Sequence, residues 1–134
     1  MKKTILLFSY FFAALISSAK SSTVSKVWSP DLGNGMYKNP VLYADYSDPD
    51  AIRVGDTYYM TASGFGHVPG LPILQSKDLV NWSLTTYALP ALVPAARHDS
   101  AQHGNGVWAP SIRFHNNEFC IYYPDPGNGY AYLI

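Results

Sequence analysis

Three aspartates, Asp45, Asp48 and Asp50, lie just before a strand-like run that extends from Ala51 to Tyr59. Aspartate and proline commonly open turns, because the Asp side chain accepts hydrogen bonds from nearby backbone amides. A carboxylate at the start of a strand could also be directed at a substrate. This stretch alone leaves both interpretations open.

Other side chains give little support for cysteine or metal chemistry. Cys120 is the single cysteine and lies in an apolar strand-like run, where we predict a buried small hydrophobic residue. The histidines have no metal-ligand spacing; they are His67, His98, His103 and His115. We therefore expect neither a metal site nor a cofactor.

The composition of the chain excludes some classes of partner. It has 134 residues with nine Lys and Arg and nine Asp and Glu, so its formal net charge is zero. Binding to nucleic acid or to an anionic membrane surface would need a basic patch, which this composition does not predict. Eleven Tyr, six Phe and three Trp are typical of carbohydrate-binding surfaces and also of all-β cores, to which we assign most tyrosines.

The first nineteen residues have the organisation of a secretory signal peptide. Two lysines precede an apolar run from Ile5 to Ile16, and the small residues Ser17 and Ala19 follow at the spacing of a cleavage site. The apolar run is too short to span a bilayer. We expect residues 1–19 to be removed and the mature protein to be secreted or periplasmic, without a membrane attachment.

Short strand-like runs alternate with turn signals along the rest of the chain, and no helical periodicity is evident. The runs AIRV and TYYMTAS flank a turn at 55–56, LPILQS and NWSLTTYAL flank one near 77–78, and SIRFH and EFCIYY flank one at 116–117. Strands joined by tight polar turns form hairpins. The sequence therefore predicts an antiparallel all-β fold.

Two of these hairpins, DPDAIRVGDTYYM and APSIRFHNNEFCI, resemble each other, with Tyr58 and Phe119 61 positions apart. A recurrence of about 60 residues with about four strands per unit is typical of β-propeller blades. A propeller closes with at least about four blades, and the sequence ends at Ile134 within an apolar run. We therefore expect an irregular lead-in at 20–38 and the first two blades of an incomplete propeller at 39–134.

Three blocks of the sequence resemble the catalytic domain of family 43 glycoside hydrolases. They are NPVLYADYSDPD, RVGDTYYMTASGFGHVPGLPILQSKDLVNW and GVWAPSIRFHNNEFCIYYPDP, which together cover nearly all of residues 39–126. The resemblance implies a five-bladed β-propeller and an inverting hydrolase of β-xylosidase or α-L-arabinofuranosidase type. Its partner would be an oligosaccharide derived from plant hemicellulose, and no cofactor is implied.

The resemblance also implies roles for two aspartates. Asp48, which precedes Pro49, matches the general base, a carboxylate that deprotonates the attacking water during inversion. Asp125 matches a carboxylate that orients the general acid and keeps it protonated by raising its pKa. The alternative for Asp125 is a turn-opening residue, and we assign turn-forming or supporting roles to Asp45 and Asp50.

Aromatic residues are expected to complete the sugar subsite. Phe65 and Trp108 match family positions that wall the subsite, because aromatic faces suit the C–H faces of a sugar ring; the alternative is that both are core residues. We assign Trp82 to packing between strands. His67 and Arg113 are further candidates for substrate contact, although a hairpin arginine is usually solvated or paired.

The general acid implied by the resemblance is a glutamate from a later blade. Glu118 is the single glutamate and lies beside a turn, at a solvent edge, so we expect the acid beyond residue 134. Two alternatives remain at this stage: a non-catalytic carbohydrate-binding propeller and an inert truncated product. A glutamate in following blades would favour the enzyme over the binder.

Overall fold

The computed structural model describes residues 27–66 and 68–134. The predicted signal peptide at 1–19, the first part of the predicted lead-in at 20–26 and His67 lie outside the described residues. Within the described part of the chain, no helix is long and apolar enough to cross a membrane.

Sheet one is a four-stranded antiparallel meander. Its strands are β1 (Asp50–Val54), β2 (Thr57–Thr61), β3 (Gly70–Ser76) and β4 (Trp82–Leu89), and neighbours in sequence are neighbours in the sheet. The β1–β2 turn contains Gly55, whose φ of 62° lies in the left-handed region that glycine adopts at little cost. The first two predicted hairpins are therefore confirmed.

Sheet two contains three antiparallel strands. They are β5 (Ser111–His115), β6 (Glu118–Asp125) and β7 (Tyr130–Leu133). Asn116 and Asn117 join the first two with φ angles of 48° and 65°, and a two-residue turn of this kind needs positive φ at both positions. The predicted antiparallel all-β fold and the predicted turn at 116–117 are confirmed.

The prediction that the chain contains no helix is wrong at one place. A single helical turn, α1 (Ala95–His98), lies between sheet one and sheet two and follows Pro94. Four residues are too few to show the 3.6-residue periodicity from which a helix is recognised in a sequence. The turn therefore had no pattern that could reveal it.

The core lies between the two sheets. The buried cluster contains residues of both sheets and of the chain that connects them: Leu71, Leu89, Leu92, Val107, Ile112, Ile121 and Tyr123. Partly buried side chains from β1 to β4, including Ile52 and Tyr59, pack against this cluster. The sheets are therefore joined by one apolar layer.

Cys120 is half-buried, so the prediction of a buried cysteine is wrong. Successive side chains of a strand point to opposite faces of the sheet. Ile121 and Tyr123 of β6 enter the core, whereas Tyr122, between them, is exposed. Cys120, next to Ile121, therefore lies on the face turned away from that core.

Asp50 also ties the two sheets together, which agrees with its predicted supporting role. Its Oδ2 accepts hydrogen bonds from the Ile112 amide at 2.8 Å and from Nη1 of Arg113 at 2.7 Å. Burial alone would raise the pKa of Asp50, but the amide and the guanidinium outweigh it and hold that pKa below its usual value. Arg113 is thus engaged by a structural carboxylate.

Candidate active site

Asp48 lies immediately before β1, where its side chain is exposed. Its Oδ2 accepts hydrogen bonds from the hydroxyls of Ser47 and Ser63, each at 3.1 Å. The side chains of Asp31 and Asp78, in contrast, accept from backbone amides within their own turns. Within the described residues, the Asp48 side chain therefore accepts no hydrogen bond from a backbone amide of its own turn. Two hydroxyls hold its carboxylate, which remains open to water.

The backbone at Asp48 has a φ of 49° and is followed by Pro49. Positive φ is uncommon for residues other than glycine, and a residue before proline is further restricted. Such a conformation costs on the order of 1–3 kcal/mol and is found most often at functional sites. Asp adopts positive φ more readily than most residues, so this position suits an aspartate just ahead of β1.

Ser63 holds Asp48 in place, although no motif in the sequence singled it out. Its backbone amide donates to the Ser47 carbonyl at 3.0 Å, and its buried hydroxyl also accepts from the Ala109 amide at 2.8 Å. In the β1–β2 register Asp50 faces Thr61, so two steps outward Asp48 faces Ser63. Hairpin register was therefore the signal that could have identified Ser63.

Ala109 occupies the position in the second hairpin that Asp48 occupies in the first. The two residues are 61 positions apart, and both precede a proline, Pro49 or Pro110. Both have positive φ, 49° at Asp48 and 28° at Ala109. The similarity between the two hairpins therefore extends to the backbone just ahead of each one.

The segment 106–109, here called the bridging segment, lies against residues 64–65, which follow the end of β2. The Gly106 amide donates to the Phe65 carbonyl at 2.8 Å, and Val107 and Gly64 exchange two backbone hydrogen bonds at 2.9 and 3.1 Å. The bridging segment therefore holds the backbone of Phe65 through a short piece of antiparallel pairing.

Phe65 and Trp108 form an aromatic pair at the surface. Their ring centroids are 6.2 Å apart and the planes meet at 78°, an edge-to-face arrangement. Trp108 is 40% exposed and Phe65 is half-buried, so neither belongs to the buried core. Nε1 of Trp108 donates to the Gly104 carbonyl at 2.6 Å and so fixes the ring. The exposed rings favour the subsite interpretation over the core alternative.

Asp125 ends β6, and its side chain is only 4% exposed. Asn128 holds both carboxylate oxygens, with its amide 3.1 Å from Oδ1 and its Nδ2 2.7 Å from Oδ2. Asp125 thus has the turn contacts expected of a turn-forming residue, the alternative to a catalytic role. Burial, Tyr132 and the Asp125 charge together raise the pKa of Tyr123, so the carboxylate also acts on its surroundings.

The four predicted site residues converge on the bridging segment. Trp108 belongs to it, and Phe65 is paired with it. Asp48 is linked to it through Ser63, and the Trp108 amide donates to the carbonyl of Pro124, next to Asp125, at 3.0 Å. One segment thus joins the surroundings of both aspartates and both aromatic residues.

The remaining candidates lie elsewhere or have structural roles. Glu118 is the exposed first residue of β6, and Asp45 is exposed before sheet one. Trp82 is half-buried and its Nε1 donates to the Leu79 carbonyl at 2.9 Å, which agrees with a packing role. Within residues 27–66 and 68–134, no group of three or more His, Cys, Asp or Glu side chains could hold a metal ion.

Comparison with known proteins places these features in a family. The model for glycosyl hydrolases family 43 matches residues 37–134. A β-xylosidase from Formosa agariphila is 40% identical over 114 residues, which are 83% of this chain and 19% of that protein. A non-reducing end α-L-arabinofuranosidase from Bacteroides ovatus is 36% identical over 92 residues, which are 67% of this chain and 17% of that protein.

Solved structures agree with the sequence comparison. A bifunctional GH43-CE protein from Bacteroides eggerthii superimposes with a TM-score of 0.61 at 39% identity, covering 71% of this chain and 13% of that one. The chain spans about a fifth of the length of the curated relatives described above.

Proposed function

Because the chain belongs to glycosyl hydrolases family 43, we propose that the protein carrying it cleaves xylose or arabinofuranose from the non-reducing ends of hemicellulose oligosaccharides with inversion. The observation that carries this proposal is the convergence of Asp48, Phe65, Trp108 and Asp125 on the bridging segment. The relatives that are a β-xylosidase and an α-L-arabinofuranosidase support the two substrate classes.

The proposed chemistry divides between two carboxylates. Asp48 acts as general base, because its exposed carboxylate can take a proton from water that attacks the sugar. Its hydrogen bonds from Ser47 and Ser63 keep it directed while Oδ1 stays available. Asp125 acts on the general acid, raising its pKa so that it stays protonated near neutral pH.

The general acid is proposed to come from a part of the protein outside these 134 residues. Glu118 is the single glutamate of the sequence, and it lies at the β5–β6 turn rather than near the bridging segment. The two sheets are proposed to be the first two blades of a five-bladed propeller. The matching antiparallel hairpins and the greater length of the relatives support this architecture.

Product stereochemistry in the full-length protein tests the proposal. Proton NMR during hydrolysis of an aryl β-D-xyloside should show the α-anomer of xylose first, because a single displacement inverts the anomeric carbon. An aryl α-L-arabinofuranoside should likewise give the β-anomer first. Early accumulation of the anomer that retains the substrate configuration would contradict the mechanism. Sugar binding without hydrolysis would instead favour a non-catalytic carbohydrate-binding propeller. The exposed aromatic pair would contact the sugar in that case too.

We further propose that the protein is exported, because charged, apolar and small residues follow one another in order at its N-terminus. N-terminal sequencing of the mature protein from the producing cells should begin at Lys20. Recovery of mature protein that still begins at Met1 would contradict export through this segment.

A further inference from the structure

His98 is a buried imidazole for which the proposed mechanism has no use. It ends α1, and its side chain is 1% exposed. Its Nε2 lies 3.6 Å from Oδ2 of Asp125. This distance is too long for a formed hydrogen bond but short enough for an electrostatic interaction between the two groups. Neither ring nitrogen has a hydrogen-bond partner within the described part of the chain.

Burying a polar group without a hydrogen-bond partner costs free energy. The orientation of the His98 imidazole toward Asp125 therefore needs a physical explanation. Each carboxylate oxygen can accept two hydrogen bonds, and Asn128 supplies one to each oxygen of Asp125. Oδ2 therefore has capacity for a proton carried on Nε2 of His98. Arg97, the other basic residue of α1, has its guanidinium beside Gly127 and donates to the Asn105 carbonyl at 3.1 Å, and within the described residues it forms no ion pair with Asp125.

We propose that His98 is a positioning residue for Asp125, with a proton on Nε2 that faces the carboxylate and fixes the direction in which Asp125 presents its charge to the general acid. Asn128 holds the carboxylate from the side of the β6–β7 turn, and His98 holds it from α1. The inference rests on the proposed role of Asp125 and extends it to a residue that makes no contact with the sugar.

The first test compares substrates in the full-length protein. His98→Leu removes the donor, whereas His98→Gln keeps an N–H group at the end of the side chain. We expect His98→Leu to lower kcat about ten-fold on a natural disaccharide, the order associated with removing a polar partner from a buried charged group. The loss should be smaller on an activated aryl glycoside, whose leaving group needs little protonation, and His98→Gln should recover most of it.

The matched control is His115→Leu, because His115 is exposed at the end of β5 and remote from the bridging segment. It should leave both substrates unaffected. Equal losses on both substrates in His98→Leu, with no recovery in His98→Gln, would indicate a packing role and overturn the inference.

A double-mutant cycle with Asp125→Asn isolates the coupling. If His98 acts through Asp125, then adding His98→Leu to Asp125→Asn should cause no further loss of kcat on the natural disaccharide. Losses that multiply would overturn the inference while leaving the role of Asp125 intact. If the Asp125→Asn variant alone loses the same activity on both substrates, the proposed function of Asp125 is contradicted. The proposed positioning role of His98 is then contradicted as well.

A measurement on the unmutated protein keeps the inference testable even if His98→Leu fails to fold. The nitrogen-15 chemical shifts of the His98 ring report which nitrogen carries a proton. We expect a protonated Nε2 in the wild-type protein and a change at that nitrogen in Asp125→Asn. An Nε2 without a proton would overturn the inference whatever the kinetics show.

Discussion

Replacing Asp48 with asparagine should lower turnover of the full-length protein by about 10²–10⁴-fold, the usual contribution of a general base. The attacking water then has no group to take its proton, so natural and activated glycosides should both suffer. The loss should appear in kcat and in kcat/KM, because the base acts in the transition state rather than in substrate binding.

The fold should tolerate this change. Asparagine accepts hydrogen bonds through its Oδ1, so it can keep the contacts with Ser47 and Ser63, and it adopts positive φ more readily than most residues. Asp45→Asn is the matched control, since Asp45 is an exposed aspartate three positions earlier. Wild-type turnover in Asp48→Asn, or an equal loss in Asp45→Asn, would show that the base is elsewhere.

Replacing Gly106 with alanine should strongly destabilise the protein. A Cβ at this position would lie 2.1 Å from the Gly64 carbonyl oxygen and 2.7 Å from the Phe65 carbonyl oxygen. Both obstacles are backbone atoms, which cannot rotate away as a side chain can. We expect the free energy of unfolding to fall by about 1–3 kcal/mol or more, with loss of activity as the bridging segment shifts.

Gly66→Ala supplies the control, because an added Cβ at Gly66 would meet no atom within 4 Å. Denaturant unfolding of the two variants of the full-length protein, monitored by tryptophan fluorescence, measures the difference. Equal stability of the two variants would mean that the bridging segment does not approach residues 64–65 as described.

The sequence predicted the strands and their turns well, because these depend on local chemistry. Alternating side chains reveal a strand without reference to distant residues, and the turns at 55–56 and 116–117 use residues that tolerate positive φ. The resemblance between the two hairpins was also visible, since it lies in contiguous residues. The single turn of α1 had no such pattern.

The surroundings of the aspartates were harder to predict, because they are made by residues distant in the sequence. Ser63 reaches Asp48 only once β1 and β2 pair, and the hairpin register would have revealed it. His98 meets Asp125 only after the chain between β4 and β5 folds back onto β6, for which no periodicity gives a guide. Asn128 lies in the turn between β6 and β7, where no sequence pattern singled it out, yet it holds Asp125.

Of the two interpretations of Asp125, the structure shows the contacts of the turn-forming one, and the action on a general acid stays a prediction. Its hydrogen bond from the Asn128 amide is ordinary turn chemistry, which a sequence can suggest. Its burial and the facing His98 depend on the packed fold. The turn contacts leave room for the proposed action on an acid, so the two interpretations of Asp125 are compatible with each other.

The equivalence of Asp48 and Ala109 has a consequence for the ancestry of the site. Ala109 has the same sign of φ ahead of a proline, although it has no carboxylate. The backbone shape therefore recurs in both hairpins and does not require the acidic side chain. In a lineage built by duplication, one copy could acquire a reactive group on a backbone already shaped to display it, while the other copy kept alanine and served only as scaffold.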